Sequence, residues 1–285
     1  EYAAIRNRVQ QKVPDIDGRM LAKLRVLARC IRLHGRKDDE WWRGYKGRKL
    51  TLYEEAWRSL ADIPIRRKDS YVRAFVKPEK LLKNGDPRMI QARTPRYNCA
   101  VGAYLRPVEH QLYQVRTLGR WFRSEEKVIA KGHNLRQRAE VISHKFQKFG
   151  ECWSLDLSRF DAHIAKELLC IEHSVYLRAY ANDPTLRRLL NWQLDNKCFC
   201  GHYAYNSVGG RMSGDMNTAL GNCVLMLLLS VAAAWESGMK PDEYDLWIDG
   251  DDTLVFTRSS KISFWPAIFR RMGQELKIEN HSTTL

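Results

Sequence analysis

The chain has 285 residues, of which 44% are hydrophobic and 11% aromatic. This composition is typical of a folded protein with a sizeable core and excludes a disordered chain. Residues 1–150 hold 35 Lys and Arg against 16 Asp and Glu, whereas residues 151–285 hold 13 against 17. A basic half followed by an acidic half indicates a surface for a polyanion and a centre for cations.

The first half predicts basic helices over residues 1–60 and then two strands, 71–76 and 88–91. Residues 99–150 predict a helix, a loop and a second helix over 135–149. A strand over 152–156 and a turn lead into a helix that ends near residue 180. A short helix over 186–194 and a hairpin over 197–208 follow.

The second half continues with a Gly-rich loop, 209–214, that opens a helix over about 215–235. Strands at 245–248 and 253–256 flank a tight turn and predict a hairpin. A helix over 264–276 and a strand from Lys277 complete the pattern. Because the chain starts at Glu1 and stops in mid-pattern, we expect it to be a piece of a longer protein.

Cysteine spacing and hydropathy bear on three features: disulfide bonds, a zinc site and a membrane span. The seven cysteines are odd in number and irregularly spaced, which disfavours a disulfide framework and fits a reducing compartment. The segment from Cys198 through Cys200 to His202 lacks a second ligand pair, so a strand is favoured over a zinc site. The most apolar run, 219–234, is shorter than the ~20 residues of a membrane span and predicts a buried core helix.

The clearest chemical signal is the adjacent pair Asp251 and Asp252 in the turn between two apolar strands. Side-by-side carboxylates repel each other, and a divalent cation relieves that repulsion. Asp156 ends another apolar strand, and pairing of the two strands would bring it to the same sheet edge. Two Mg²⁺ ions held there would suit phosphoryl transfer. Read alone, the Asp-Gly-Asp-Asp segment is also an ordinary hairpin turn.

A second signal is a set of polar residues on and around the apolar helix. Thr218 and Asn222 are four residues apart and therefore share one helix face. Asn222 would form one hydrogen-bonding cluster with Asp161 and Ser213 that distinguishes ribose from deoxyribose. The simpler interpretation is that Ser213 caps the helix and Asn222 is satisfied within the core.

A third signal is the concentration of cations on the two-strand element at residues 71–98, which favours a phosphate channel over a solvated charged hairpin. The cations are Lys77, Lys80, Lys83, Arg88, Arg93 and Arg96.

Three segments resemble motifs A, B and C of viral RNA-dependent RNA polymerases, in the same order. They are residues 156–161 (Asp-Leu-Ser-Arg-Phe-Asp), 213–222 (Ser-Gly-Asp-Met-Asn-Thr-Ala-Leu-Gly-Asn) and 250–252 (Gly-Asp-Asp). Residues 87–91, 95–109 and 131–140 are similar to segments of tombusviruses and related plus-strand RNA viruses. The likeness runs from about residue 71 to residue 277.

The resemblance implies that Asp156 and Asp251 hold two Mg²⁺ ions, with Mn²⁺ as a possible substitute, and that Asp252 assists. The sugar of the incoming nucleotide would be read by Asp161, Thr218 and Asn222, with Ser213 in a loop near template and nucleotide.

Other residues match motifs F and D. Arg88 would contact the nucleotide phosphates, and Lys77 and Lys83 would line the same channel. Lys277 would protonate the departing pyrophosphate as a general acid. Asp249 stands where the family pattern has an Asn-rich segment, which leaves its role open.

The resemblance also implies the architecture: an α+β right-hand polymerase with a small antiparallel palm sheet backed by helices, mainly helical fingers and no thumb. Residues 1–150 would be fingers, with the nucleotide-channel element at 71–98. Residues 151–170 would open the palm, 171–208 would return to the fingers and 209–285 would complete the palm.

The implied function is RNA-templated RNA synthesis from rNTPs during replication of a plus-strand RNA virus. Two alternatives stay open: a basic RNA-binding module with an inactive palm, and a reverse transcriptase, for which Phe or Tyr is expected in place of Asp161. The expected partners are template and nascent RNA, rNTPs, and the missing thumb and N-terminal parts of the same polyprotein or readthrough product. The expected location is the host cytoplasm, at membrane-associated replication sites reached through regions outside this chain.

Overall fold

A computed structural model describes residues 1–9, 13–79 and 87–284. The chain divides into two compact units. The first unit comprises Glu1–Lys12, His34–Val108 and Asp161–Thr218; the second comprises Val13–Leu33, Glu109–Phe160 and Ala219–Leu285. Within the described residues each unit holds one four-stranded sheet together with helices, so the α+β class is confirmed.

The predicted order of elements is largely confirmed. The helices are α1 (Tyr2–Ala4), α2 (Gly18–Cys30), α3 (Gly47–Asp62), α4 (Pro95–Leu112), α5 (Leu135–Phe149), α6 (Phe160–His163), α7 (Lys166–Ala179), α8 (Pro184–Asn191), α9 (Thr218–Glu236) and α10 (Trp265–Arg271). The strands are β1 (Val72–Val76), β2 (Met89–Ala92), β3 (Cys152–Leu157), β4 (Asp195–Cys200), β5 (Tyr203–Val208), β6 (Asp245–Asp249), β7 (Asp252–Phe256) and β8 (Leu276–Ser282).

The sheet of the first unit has the strand order β2-β1-β4-β5. β1 pairs antiparallel with β2 and parallel with β4, and β4 forms the predicted hairpin with β5. Side chains alternate between a buried and an exposed face, as a half-buried sheet requires. Cys198 and Cys200 both lie on the buried face with Val72 and Ala74, where they act as small apolar residues.

The sheet of the second unit has the order β6-β7-β3-β8 and is antiparallel throughout. A buried ion pair ties α5 to the first of these strands. Lys145 Nζ lies 2.8 Å from Asp245 Oδ1 and donates to Ser124 Oγ at 2.9 Å, and Ser124 donates to Asp245 Oδ2 at 2.8 Å. Because all three polar groups are satisfied by one another, the pair fixes the strand that leads into the acidic turn.

The apolar helix α9 is buried from Leu220 to Ala234. Among the described residues it is the one helix long and apolar enough to cross a membrane, and 83% of its most apolar window is buried. This burial agrees with its interpretation as a core helix.

Several predicted helix bounds are wrong, and the helix predicted over 186–194 spans Pro184–Asn191. The helix predicted over 264–276 ends at Arg271, because Gly273 adopts a left-handed φ of 77° and the amide of Gln274 closes onto Phe269 O at 3.0 Å. Leu276 therefore belongs to β8. Helix α9 begins at Thr218 rather than near residue 215, since the residues before it form turns held by their side chains.

A chain of buried polar side chains holds that turn against α7 within the first unit. His173 Nε2 lies 3.1 Å from Gln193 Oε1, and Gln193 donates to Asn217 Oδ1 at 2.9 Å. Asn217 donates to Glu172 Oε1 at 2.7 Å, and Arg211 forms an ion pair with the other oxygen of Glu172. Every member is at least 97% buried, so each hydrogen bond matters to stability.

His173 makes this network sensitive to acid. Desolvation by burial lowers the pKa of His173 to about 4, because it disfavours the charged imidazolium. Folding therefore favours the neutral form, and its contribution is present above the unfolded pKa of about 6.5 and is lost as pH falls toward 4. Between pH 7 and pH 5 we expect the free energy of unfolding to drop by about 2 kcal/mol from this residue.

Urea denaturation at both pH values checks this expectation. His173→Gln, which retains a hydrogen-bonding side chain without the titration, should remove that part of the pH dependence. His202→Gln, at an exposed position, should leave it as in the wild type. A wild-type pH dependence in His173→Gln would show that His173 does not titrate as argued.

Candidate active site

The turn between β6 and β7 is a two-residue loop of Gly250 and Asp251, flanked by the paired residues Asp249 and Asp252. Gly250 has a φ of 82°, which an L side chain rarely adopts. Glycine at the first central position is the pattern of a type II′ hairpin turn, whose twist matches that of the flanking strands. The glycine thus allows three acids to crowd into four consecutive positions.

A fourth acid joins them through strand pairing. β3 pairs antiparallel with β7 in a register that sets Leu155 against Thr253. Asp156 is the next residue along β3 and Asp252 the preceding one in β7, so the two carboxylates reach the same end of the sheet, as predicted. Partial burial raises the pKa of Asp252, and the charges of Asp251, Asp249 and Asp156 raise it further.

This crowding fits a divalent cation. The donors are carboxylate oxygens, which Mg²⁺ prefers, and their mutual repulsion adds to the desolvation that raises the pKa of Asp252. Asp156 and Asp251 remain exposed, and so does Asp252. In the part of the chain that the structure describes, no three His, Cys, Asp or Glu side chains are already arranged as a ligand set.

Asp249, whose role the sequence left open, is held by two cations of the second unit. Arg138 donates to Asp249 Oδ2 at 2.6 Å, and Lys131 forms an ion pair with Oδ1. Desolvation by burial would raise the pKa of Asp249, but these two hydrogen bonds and their charges lower it below its ordinary value. Asp249 is therefore engaged as a structural anchor of the turn.

A β-bulge determines what faces Asp156 from the other side. β3 and β8 pair with a register shift between Ser154 and Leu155, after which Asp156 is opposite Lys277. Without the shift the neighbouring Ile278 would take that position, since a slip of one residue exchanges the faces of a strand. The bulge thus brings the predicted general acid beside a predicted metal ligand.

The Gly-rich loop before α9, residues 209–214, pairs through its backbone with strand β2 within the first unit. The amide of Gln91 donates to Ser213 Oγ at 3.0 Å, and the amide of Gly214 donates to Gln91 O at 3.0 Å. A Cβ at Gly214 would lie 2.7 Å from Gln91 O, so only glycine allows this approach. The Ser213 hydroxyl is thereby fixed to the strand that follows Arg88.

Arg93 secures the same loop and is not a channel cation. Its side chain is fully buried, pairs with Asp215, and donates to Ser70 O at 2.6 Å and to Asn196 Oδ1 at 2.7 Å. The sequence grouped it with the exposed cations because charge count carries no information on burial. Arg96 is likewise engaged, with Asp69 at 3.2 Å.

The residues predicted to bind the sugar each make different local contacts. Thr218 Oγ1 lies 3.0 Å from both Met212 O and Asp215 O at the start of α9. Asp161 O accepts from the amide of Arg211 at 2.7 Å, and Asn222 is 95% buried in α9. A joint cluster of Asp161, Ser213 and Asn222 stays a prediction.

The channel cations share a carboxylate that sequence reasoning missed. Lys77 Nζ lies 2.8 Å from one oxygen of Glu79, and Arg88 Nε lies 3.7 Å from the other. The amide of Lys77 also donates to Arg88 O at 2.8 Å, which keeps the two cations together. Lys83, like Lys80, lies outside the described residues.

Comparison with known proteins gives a consistent result. A sequence profile described as viral RNA-dependent RNA polymerase matches residues 7–285. The RNA-directed RNA polymerase of turnip crinkle virus is 37% identical over 88% of the chain, and that of tobacco necrosis virus (strain A) is 38% identical over 85%. The enzyme of maize chlorotic mottle virus is 41% identical over 81%.

These matches cover 33%, 34% and 24% of the relatives, so the chain spans about a third of their length or less. The profile match covers nearly the whole chain and includes every candidate site residue. The chain belongs to the family of viral RNA-dependent RNA polymerases.

Proposed function

We propose that this chain is the catalytic core of an enzyme that copies RNA into RNA from rNTPs during replication of a plus-strand RNA virus. The observation that carries the proposal is the strand register that brings Asp156 to the same end of the second sheet as Asp251 and Asp252. Family membership and the activity named for the relatives support it.

Asp156 and Asp251 would hold the metals and Asp252 would assist, because their carboxylates are the exposed donors of the cluster. When bound, two Mg²⁺ ions, or Mn²⁺ in their place, supply activation of the attacking hydroxyl and stabilisation of the leaving oxygen. Lys277, opposite Asp156, would give a proton to the departing pyrophosphate. Asp249 keeps the turn in place through Lys131 and Arg138.

The substrate contacts are assigned residue by residue. Asp161, Thr218 and Asn222 would read the ribose, with Ser213 close to template and nucleotide. Arg88 and Lys77 would bind the nucleotide phosphates, with Glu79 positioning both until substrate arrives. Phosphate is a stronger partner for these cations than one shared carboxylate, since it offers more charge and more acceptor oxygens.

In this proposal residues 1–150 and 171–208 form the fingers of a right-hand polymerase, and residues 151–170 and 209–285 form its palm. The thumb and the remaining parts would lie outside this chain, on the same polyprotein or readthrough product. Template and nascent RNA would be its partners, and membrane-associated sites in the host cytoplasm its location.

Removal of one carboxylate tests the metal role. In the full-length protein, Asp251→Ala should abolish Mg²⁺-dependent incorporation of labelled nucleotide, because the donor set loses a member. Binding of RNA should persist. Asp242→Ala, an exposed acid in the same unit, is the matched control and should retain incorporation. Unchanged incorporation by Asp251→Ala would contradict the proposal, and its absence from the wild type would favour an inactive RNA-binding module.

The sugar-reading role predicts a change in selectivity. Asn222→Asp keeps the size of a buried side chain but replaces its amide donor with a second acceptor. The preference for rNTP over dNTP, measured as a ratio of kcat/KM values, should fall at least about tenfold. Asn191→Asp, at the exposed end of α8, serves as control. A ratio equal to that of the wild type would remove Asn222 from sugar recognition.

A further inference from the structure

The exposed face of the first sheet carries aromatic side chains where a solvated face normally carries polar ones. Phe75 is 51% exposed and Phe199 is 46% exposed, whereas Val72 and Cys198, on the opposite face of the same strands, are at most 1% exposed. Exposed aromatics in neighbouring strands of a sheet indicate a binding surface rather than chance.

The strand register gathers these aromatics with cations. Arg73 is paired with Phe199 across β1 and β4. Phe75 lies two residues after Arg73 on β1 and therefore shares its face. Lys197 precedes Phe199 by two positions on β4 and therefore shares its face. Two phenylalanines and two cations thus occupy adjacent positions on the two central strands.

Tyr71 extends the surface at the start of β1. Its ring centroid lies 6.1 Å from that of Phe199, and Lys197 Nζ lies 5.6 Å from the Tyr71 ring. Among the described residues neither Arg73 nor Lys197 forms an ion pair, so both charges are available to a ligand. Asp195 is the one acid on this face of β4, at the end of the strand.

We infer that this face, defined by Tyr71, Arg73, Phe75, Lys197 and Phe199, binds single-stranded RNA by stacking bases on the aromatic rings and pairing phosphates with the two cations. Exposed aromatics on a four-stranded sheet stack bases in this way, and stacking accepts any base. Lys197 favours RNA over a protein partner, because Lys is depleted in the cores of protein interfaces, where aromatic residues and Arg are enriched. The inference rests on the proposed function, in which RNA is the template, but involves none of the metal-binding residues.

The two kinds of contact have different signatures. Loss of stacking weakens binding without changing its salt dependence, by about 5- to 150-fold for each base, which is equivalent to roughly 1–3 kcal/mol. Loss of a phosphate contact lowers the slope of log K against log salt concentration by about 0.7 for each cation on a single strand.

Fluorescence anisotropy with a labelled 12-nucleotide oligouridine, without nucleotides, tests the inference. Phe75→Ala/Phe199→Ala should weaken binding at least about tenfold with an unchanged salt slope. Arg73→Gln/Lys197→Gln should lower the slope by about 1.4. Phe264→Ala, at a 59% exposed aromatic of the second unit, should bind as the wild type.

A measurement on the unaltered chain guards against misfolded variants. Light-induced crosslinking of oligo(4-thiouridine), mapped by mass spectrometry, should label Phe75 or Phe199. Binding by both double variants within twofold of the wild type, or crosslinks that avoid this sheet, would overturn the inference. Reduced self-association of the variants with unchanged RNA affinity would overturn it in favour of a contact between copies.

Asp251→Ala separates this inference from the proposed function. That variant should bind the oligonucleotide as the wild type does, so a failed stacking test leaves the catalytic proposal intact. Conversely, full incorporation by Asp251→Ala would remove the catalytic proposal and leave the RNA-binding result standing.

Discussion

Electrostatic repulsion among four carboxylates at one end of the second sheet is the constraint on which the proposed chemistry depends. Asp156 reaches Asp251 and Asp252 only because β3 pairs with β7. Partial burial raises the pKa of Asp252, and the charges of its acidic neighbours raise it further, as expected where carboxylates are gathered. A fold tolerates such repulsion where a bound cation offsets it. The unfavourable charge arrangement therefore indicates a metal-dependent reaction.

The surrounding structure keeps this arrangement from relaxing. The Lys145 and Asp245 pair fixes β6 in the core, and Arg138 with Lys131 holds Asp249 at the start of the turn. The bulge in β3 and β8 places Lys277 opposite Asp156. Within the first unit, considered by itself, buried networks around Glu172 and Arg93 fix the loop that contains Ser213. Rigid support of this kind is what electrostatic catalysis requires, because preorganised groups need not reorient during reaction.

The sequence predicted those parts of the site that depend on local pattern. Apolar runs on either side of the Asp-Gly-Asp-Asp segment located both strands of the acidic hairpin, and alternation located the strand that carries Asp156. Spacing placed Thr218 and Asn222 on one helix. It did not reveal the bulge opposite Asp156, the burial of Arg93 or the partners of Asp249. Each of these depends on contacts between segments that are far apart in the chain. Local sequence propensity does not predict such contacts. The closing helix was overextended because Gly273 ends it through a left-handed φ that no hydrophobic period signals.

Binding of Mn²⁺ in the absence of RNA and nucleotides tests the central claim, that strand pairing assembles one cation site from Asp156 and Asp251. The signal of free Mn²⁺ in electron paramagnetic resonance reports the affinity without any need for catalysis. Asp156→Asn and Asp251→Asn should each weaken binding at least about tenfold, because each removes a charged donor from the same site. Asp242→Asn should bind Mn²⁺ as the wild type does. Wild-type affinity in Asp156→Asn, with loss only in Asp251→Asn, would contradict a shared site.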